Sequence, residues 1–219
     1  MAMEVAVVGG HGKVALRLLR LLSERGDRGR GLIRNPDHAA DVEATGATAV
    51  GADIENLDAA AIARSIAGVD AVVFAAGAGA GSGPARKLTV DYGGAAKLIE
   101  AARLSDVSRY LIVSAMGVNH PENWSDEMRP YYKAKLDADR EVAESGLDYT
   151  IVRPGGLTDD PGTGLIDAAE ELPIGRYGRI PRDDVAATLL ACLDEPATIR
   201  RGFDEVSGEM PIADAIAGL

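Results

Sequence analysis

The chain has 219 residues, 47% of them apolar and 26% charged, which gives room for one full-sized domain spanning 1–219 and little more. Its formal charge is −11, which argues against nucleic acid or an anionic membrane as the main partner. One cysteine, Cys192, excludes an internal disulfide framework and fits a reducing compartment, and three histidines (His11, His38, His120) do not make a metal cluster, so no metal is expected. Residues 5–8 read as a buried strand, followed by a helix over 13–24 with Val14, Leu18, Leu21 and Leu22 at helical spacing. A short second strand spans 31–34 and stops at Asn35-Pro36, which also opens the next helix. Strand 48–51, helix 57–67 and the very apolar strand 70–74 come next, then a long helix over 86–104 and a fifth strand at 110–113. A helix over 131–145 ends at Gly146, and a sixth strand spans 149–152. Residues 155–180 are loose and rich in Gly and Pro, and are followed by a helix (183–193), a strand (202–206) and a last helical turn.

Six strand–helix alternations predict an α/β fold: a doubly wound parallel sheet with helices on both faces and a small C-terminal extension. The N-terminus lacks a basic n-region and a long apolar stretch, so a cytoplasmic protein is expected. The weakly polar run 71–81 is too short and too Gly-rich to span a bilayer.

The first strand runs into Gly9-Gly10-His11-Gly12-Lys13-Val14-Ala15. Small residues at Gly9, Gly12 and Ala15 suit a tight turn that brings backbone amides to a pyrophosphate at a helix N-terminus. At the end of strand two an NAD site usually carries an acid; this chain has Arg34-Asn35, and a planar guanidinium suits the 2′-phosphate of NADP. NADP is therefore expected over NAD, although Arg34 also fits a solvated strand end. Lys13 fits either a phosphate contact or an exposed first-turn lysine. Asp53-Ile54 closes strand three, where the acid suits either the adenine amino group or a helix cap. Ala75-Ala76-Gly77 closes strand four with minimal side chains and leaves room for the cofactor.

Tyr131 and Lys135 stand four residues apart, on one face of a helix, and Ser114 lies just past strand five at the same sheet edge. A ketone reduction needs these groups: an acid to protonate the developing alkoxide, a lysine to lower the phenol pKa from its ordinary ~10, and a hydroxyl to orient the carbonyl. Tyr and Lys at this spacing also occur by chance in many helices.

The segments 7–15, 90–95 (Val-Asp-Tyr-Gly-Gly-Ala), 113–115 (Val-Ser-Ala), Tyr131-x-x-x-Lys135, 147–155 (Leu-Asp-Tyr-Thr-Ile-Val-Arg-Pro-Gly) and 180–186 keep a fixed order. Together they resemble an atypical short-chain dehydrogenase/reductase with a Rossmann-type fold, of the NAD(P)-binding, epimerase/dehydratase-like branch. Flavin and biliverdin reductase-type enzymes and NmrA-like regulators belong to the same group. The resemblance implies Tyr131 as acid/base, Lys135 as ribose ligand and pKa modifier, Ser114 as orienting hydroxyl, and the Pro154-Gly155 backbone beside the nicotinamide. The chain departs from the group's common pattern at Ala15 (often Gly), at Ala115 (usually a second Ser) and at Asp91 (often Asn).

Segments 117–130, which carries Trp124 and Met128, and 155–180 follow strands at the carboxyl edge and are free to form a substrate pocket. Trp124 and Met128 suit a planar substrate or a loop anchor equally, and His120 suits proton transfer or a solvated loop. The leading expectation is an NADP-dependent oxidoreductase acting on a small carbonyl, quinone or flavin-like acceptor, as a monomer or homodimer. The alternatives are a nicotinamide-dependent epimerase/dehydratase and a non-catalytic NADP-binding redox sensor.

Overall fold

The computed structural model describes residues 2–79, 81–173 and 177–219. Strand β1 (Glu4–Val8) is buried from Val5 onward, so its apolar run is continuous, as in a sheet covered on both faces. Helix α1 (Lys13–Arg25) buries Val14, Leu18 and Leu22 with Ala15 and Leu19, and stops at Gly26, whose left-handed φ of 88° lets its N–H reach the Ser23 carbonyl. Next come β2 (Arg28–Ile33), a 3₁₀ turn at Pro36–His38, α2 (Ala39–Glu43) and β3 (Thr48–Gly51). Helix α3 (Ala59–Ser65) starts where Asp58 Oδ1 accepts the Ala61 N–H at 2.7 Å. Strand β4 (Ala71–Phe74) is wholly buried. After α4 (Pro84–Arg86) and a π-helical turn at Lys87–Tyr92 follow α5 (Gly93–Leu104), β5 (Arg109–Val113), α6 (Arg129–Ala143) and β6 (Asp148–Pro154). The C-terminal part holds β7 (Gly156–Thr158), β8 (Leu165–Ala169), β9 (Arg179–Pro181), α7 (Arg182–Asp194), β10 (Arg201–Ser207), β11 (Met210–Pro211) and α8 (Ile212–Ala217).

The main sheet has the order β3-β2-β1-β4-β5-β6-β10-β8-β11. The order reverses between β1 and β4, and ligands of doubly wound sheets sit in the crevice at that switch point. One apolar layer joins α1, α7 and the sheet through Leu18, Leu22, Val185, Leu189 and Phe203. The opposite layer joins α3, α5 and α6 through Ile62, Leu98, Phe74 and Ala138.

Four local expectations need correction. The segment 155–180 is more ordered than its composition implies. It contains β7, which pairs with β9, and β8, which runs antiparallel to β10, so the sheet is mixed rather than purely parallel. Residues 174–176 of that segment lie outside the described residues. Strand β2 starts at Arg28, ahead of the apolar signal at 31, because its pairing with β1 begins with Glu4 opposite Arg28; Gly29 packs closely under Leu19 and offers no side chain to mark the strand. The helix after Asn35-Pro36 is only a 3₁₀ turn and the five-residue α2. The long helix over 86–104 is interrupted by the π-helical turn, which buries Val90 and Asp91.

Glu205, on β10, turns toward α7 with Phe203 and is fully buried; neither carboxyl oxygen makes a well-formed hydrogen bond among the described residues, and the Thr188 hydroxyl only partly offsets the burial. Burial pushes its carboxyl up to about 8. A raised acid stays protonated in the folded chain while the unfolded chain ionises, so stability is full below pH ~4.5 and is lost as pH rises toward 8. Glu205→Gln is expected to raise the Tm at pH 8 by several degrees, on the order of 2–5 kcal/mol, and to flatten the Tm–pH curve between pH 5 and 9. Thermal melts across that range check it; parallel curves for the two proteins would refute the assignment.

Candidate active site

Past Val8 the chain turns at Gly9, whose φ is +80°, and a Cβ there would lie 2.7 Å from Ala76 Cα. A Cβ at Gly10 would lie 2.8 Å from Gly31 Cα, and the Gly10 N–H donates to the Leu32 carbonyl at 2.9 Å. The loop is therefore wedged between the ends of β2 and β4, where only glycine fits. Gly12 caps α1 with no side-chain hydrogen bond, and the first turn of α1 carries no acid. Its free N–H groups and the positive end of the helix remain open to an anion. Ala15 is fully buried, which keeps the helix close to the sheet.

Beside the loop lies a cavity of 290 Å³. It brings together Gly9, His11 and Gly12 from the loop, Arg34 and Asn35 after β2, Asp53 and Ile54 after β3, and Ala75, Ala76 and Gly77 after β4. The small-residue floor and anion-ready helix end suit the adenosine and pyrophosphate part of a dinucleotide. Gly10, Lys13, Val14, Lys135, Pro154 and Gly155 do not line the cavity: Gly10 forms the turn, Val14 is in the core, and the last three lie further along the sheet edge. Lys13 points to the C-terminal extension, with Nζ 2.5 Å from Asp159 Oδ2, and Arg182 Nη1 reaches the same carboxylate at 2.9 Å. The hydrogen bond from Lys13 holds the exposed Asp159 carboxyl below the usual carboxylate range.

Arg34 is half exposed, and its Nη1 is 3.8 Å from Glu55 Oε2. Glu55 accepts from Thr89 Oγ1 at 2.7 Å and Arg86 Nε at 3.2 Å, and the Thr89 hydrogen bond keeps its carboxyl low. Asn35 Oδ1 accepts the Asp37 N–H, and Asp53 accepts from Glu55 N–H and Asn56 Nδ2, so both side chains also shape their own turns. His38, Glu55 and Arg86 line the cavity as well, and sequence reasoning missed all three. His38 stacks on His11 with ring centroids 3.7 Å apart, and His11 Nε2 sits 2.8 Å from Asp41 Oδ2. The Asn35-Pro36 turn signal was available, but the stacking joins residues from two separate turns.

At the other end of the sheet edge, α6 places Tyr131, Lys135 and Asp139 on one face at i, i+4 and i+8. Lys135 is buried; its Nζ donates to the Val113 carbonyl at 2.9 Å and lies 3.5 Å from Asp91 Oδ1. Asp91 Oδ2 accepts the Ala78 N–H at 2.9 Å, tying α6 to the strand-four loop that lines the cavity. Burial pushes the Tyr131 phenol above its ordinary value, and the Asp91 charge adds to the rise, so the resting direction is opposite to the one expected from a neighbouring lysine. Arg153 Nε bonds buried Asp139 at 3.0 Å; burial raises the Asp139 carboxyl and Arg153 opposes it. Ser114 is buried beside Asp139, and its Oγ has no well-formed hydrogen bond among the described residues. Pro154 accepts the Met116 N–H at 3.0 Å, and a Cβ at Gly155 would lie 2.4 Å from the Gly178 carbonyl oxygen, so the Pro154-Gly155 backbone is pinned at the strand end.

Aromatic side chains, only nine in the chain, gather here. Trp124 stacks on Tyr132 at 5.7 Å, Tyr131 lies 5.4 Å from Tyr132, and Tyr177 stands beside Gly117. Trp124 is buried and its Nε1 donates to the Gly117 carbonyl at 3.0 Å, which makes it a loop anchor; Met128 is exposed. His120 Nε2 sits 2.8 Å from Glu171 Oε1. No described helix is long and apolar enough to cross a membrane.

The NAD(P)H-binding family model matches residues 9–196, and the chain belongs to that family. It is 43% identical over 218 residues to the uncharacterized sugar epimerase YhfK of Bacillus subtilis, covering 99% of this chain and 100% of that protein. A solved Bacillus halodurans structure that carries the name NAD-dependent epimerase/dehydratase superposes with a TM-score of 0.94 at 35% identity, covering 100% of both chains. The oxidoreductase ylbE of Lactococcus lactis gives a TM-score of 0.87 at 29% identity, covering 99% of this chain and 96% of that one. The chain thus has the Rossmann-type fold of the atypical short-chain dehydrogenase/reductases and is an NAD(P)-binding protein of oxidoreductase type.

Because the Gly10 contact is backbone on backbone, Gly10→Ala is expected to cost about 1–3 kcal/mol of stability and to weaken NAD(P)H binding at least tenfold. Thermal melts and nucleotide fluorescence titrations measure the two effects; unchanged NAD(P)H affinity would show that the loop is not the pyrophosphate seat.

Proposed function

We propose that the chain is an NADP-dependent reductase that passes hydride to a small carbonyl, quinone or flavin-like acceptor with Tyr131 as proton donor. The observation that carries the reading is the placement of half-buried Tyr131 and buried Lys135 on one face of α6, with Lys135 joined through Asp91 to the loop that lines the cavity. When bound, the nicotinamide supplies the hydride. In this reading α1 and Gly9, Gly10, His11 and Gly12 hold the pyrophosphate, with Lys13 and Val14 opening the helix. Ala75, Ala76 and Gly77 leave space for the ring system, Asp53 and Ile54 border the adenine, and the Pro154-Gly155 backbone flanks the nicotinamide. Tyr131 donates its phenolic proton as negative charge develops on the acceptor oxygen. Lys135 has three donors; Val113 takes one and the Asp91 carboxylate stands 3.5 Å away, which leaves donor capacity for a ribose hydroxyl. Ser114, with its Oγ buried and lacking a well-formed bond, is the hydroxyl left to orient the acceptor. The aromatic group around Gly117 supports a planar acceptor.

NADP over NAD rests on Arg34 and Asn35, which directly follow β2 with no acid between them and the strand. We place the protein in the cytoplasm as a monomer or homodimer, one domain over 1–219, serving a small molecule and not nucleic acid or a membrane. The substrate-side segments are 117–130 and 155–180.

The names of the relatives favour a second reading, an epimerase or dehydratase that keeps its nicotinamide and regenerates it each cycle. In that case cofactor co-purifies with the protein and no net NADPH is consumed. Stopped activity in Tyr131→Phe, at least a hundredfold down with NADPH affinity within twofold of the parent, is expected when oxidation of NADPH is followed over quinones, flavins and ketones. Arg34→Ala should weaken NADPH at least tenfold more than NADH; equal loss removes the NADP preference. Nucleotide binding without turnover of any acceptor would leave the redox-sensor reading standing.

A further inference from the structure

The π-helical turn at Lys87–Tyr92 places Asp91 in the interior, 2% exposed, with both carboxylate oxygens engaged. Oδ2 takes the Ala78 N–H at 2.9 Å and Oδ1 lies 3.5 Å from the Lys135 ammonium. The charge facing it is Lys135, itself 5% exposed, so the two form a buried ion pair. We propose that Asp91 is a positioning residue of this site: its carboxylate fixes the Lys135 ammonium and the Ala78 amide in one arrangement and cancels the ammonium charge next to Tyr131. The inference deepens the reductase reading and rests on it for its functional meaning.

The groups facing Tyr131 can be named element by element. From the π-helical turn come Asp91 and Lys87, whose Nζ stands 5.5 Å from the centre of the phenol ring. From α6 come Tyr132, Lys135 one turn on, and Asp139, which is already paired with Arg153. Lys135 alone would favour phenolate; Asp91 opposes it, and burial opposes it further. The phenol therefore rests with its proton on. That state is ready to donate, which is what acceptor reduction requires, and it persists past the pH where an ordinary tyrosine begins to ionise, ~10. By detailed balance this widens the pH range over which the loaded donor is available and leaves the reaction equilibrium untouched.

The test labels the chain with tyrosine carrying carbon-13 at Cζ and follows the Tyr131 signal, assigned by its loss in Tyr131→Phe, without cofactor or substrate. The parent signal is expected to stay at the phenol position to pH ~10. In Asp91→Asn, nearly the same shape without the charge, it should titrate at least one pH unit below the parent. Lys135→Met, which leaves Asp91 unbalanced, should move it the other way and gives the answer if Asp91→Asn does not fold. A Tyr131 signal that titrates alike in parent and Asp91→Asn, or that moves down in Lys135→Met, overturns the proposal. In turnover the alkaline limb of kcat/KM for acceptor reduction should fall at least one unit earlier in Asp91→Asn, with the KM for NADPH within threefold. An absence of any reducible acceptor would defeat the reductase reading while leaving the carbon-13 result to judge Asp91 alone.

Discussion

The close approach of the Gly9-Gly10 backbone to its neighbours is the constraint on which the site depends. Two missing Cβ atoms let one turn sit against Ala76 on one side and Gly31 on the other, so the ends of β1, β2 and β4 meet at a single point. That point is where the strand order reverses, and a crevice opens there because the flanking connections leave in opposite directions. The same turn delivers α1 with an uncapped N-terminus. In the proposed site, anion affinity at this end of the sheet rests on backbone geometry, with the surrounding side chains adjusting it.

The side-chain charges fit that division of labour. Lys13, Arg34 and Lys135 read in sequence as a positive cluster around an anionic ligand, but each stands near an acid: Asp159, Glu55 and Asp91. The three pairs differ in depth, and depth decides what they do. Lys13–Asp159 is solvent-exposed and contributes little to stability. Arg34 is only 3.8 Å from Glu55, whose stronger partners are Thr89 and Arg86, so its guanidinium can turn to a ligand at small cost. Lys135–Asp91 is buried, and removal of either member strands the other.

Legibility in the sequence followed burial. Strands covered on both faces, β1 and β4, show as unbroken apolar runs, and the glycine loop, the order of elements and the helical spacing of Tyr131 and Lys135 are local signals. Strand β8 was not legible, because Leu165–Ala169 is short and half-exposed and owes its pairing to the antiparallel edge of β10. The start of β2 was hidden for the opposite reason: Gly29 serves a close contact and so lacks the side chain that a strand signal needs. His38 and Asp91 illustrate the limit at the site itself. His38 reaches the cavity only because the 3₁₀ turn brings its ring onto His11, and Asp91 faces inward only because one turn of a long helix is wound as π. Neither geometry leaves a periodic trace.

That π-wound turn gives α6 its electrostatic order. Along one face, Tyr131, Lys135 and Asp139 descend from the sheet edge toward the core, and each charged member is balanced from a different element, Lys135 by Asp91 and Asp139 by Arg153 of β6. A helix face carrying an isolated ammonium and an isolated carboxylate at this depth would be costly to fold. Balanced pairs remove that cost and also fix the helix in rotation and register against β5, where Lys135 grips the Val113 carbonyl. Because Asp91 also holds Ala78, one carboxylate links α6 to the loop that floors the cavity. A shift of the strand-four loop on ligand binding would therefore reach the Tyr131 environment through two polar contacts, without any movement of the sheet.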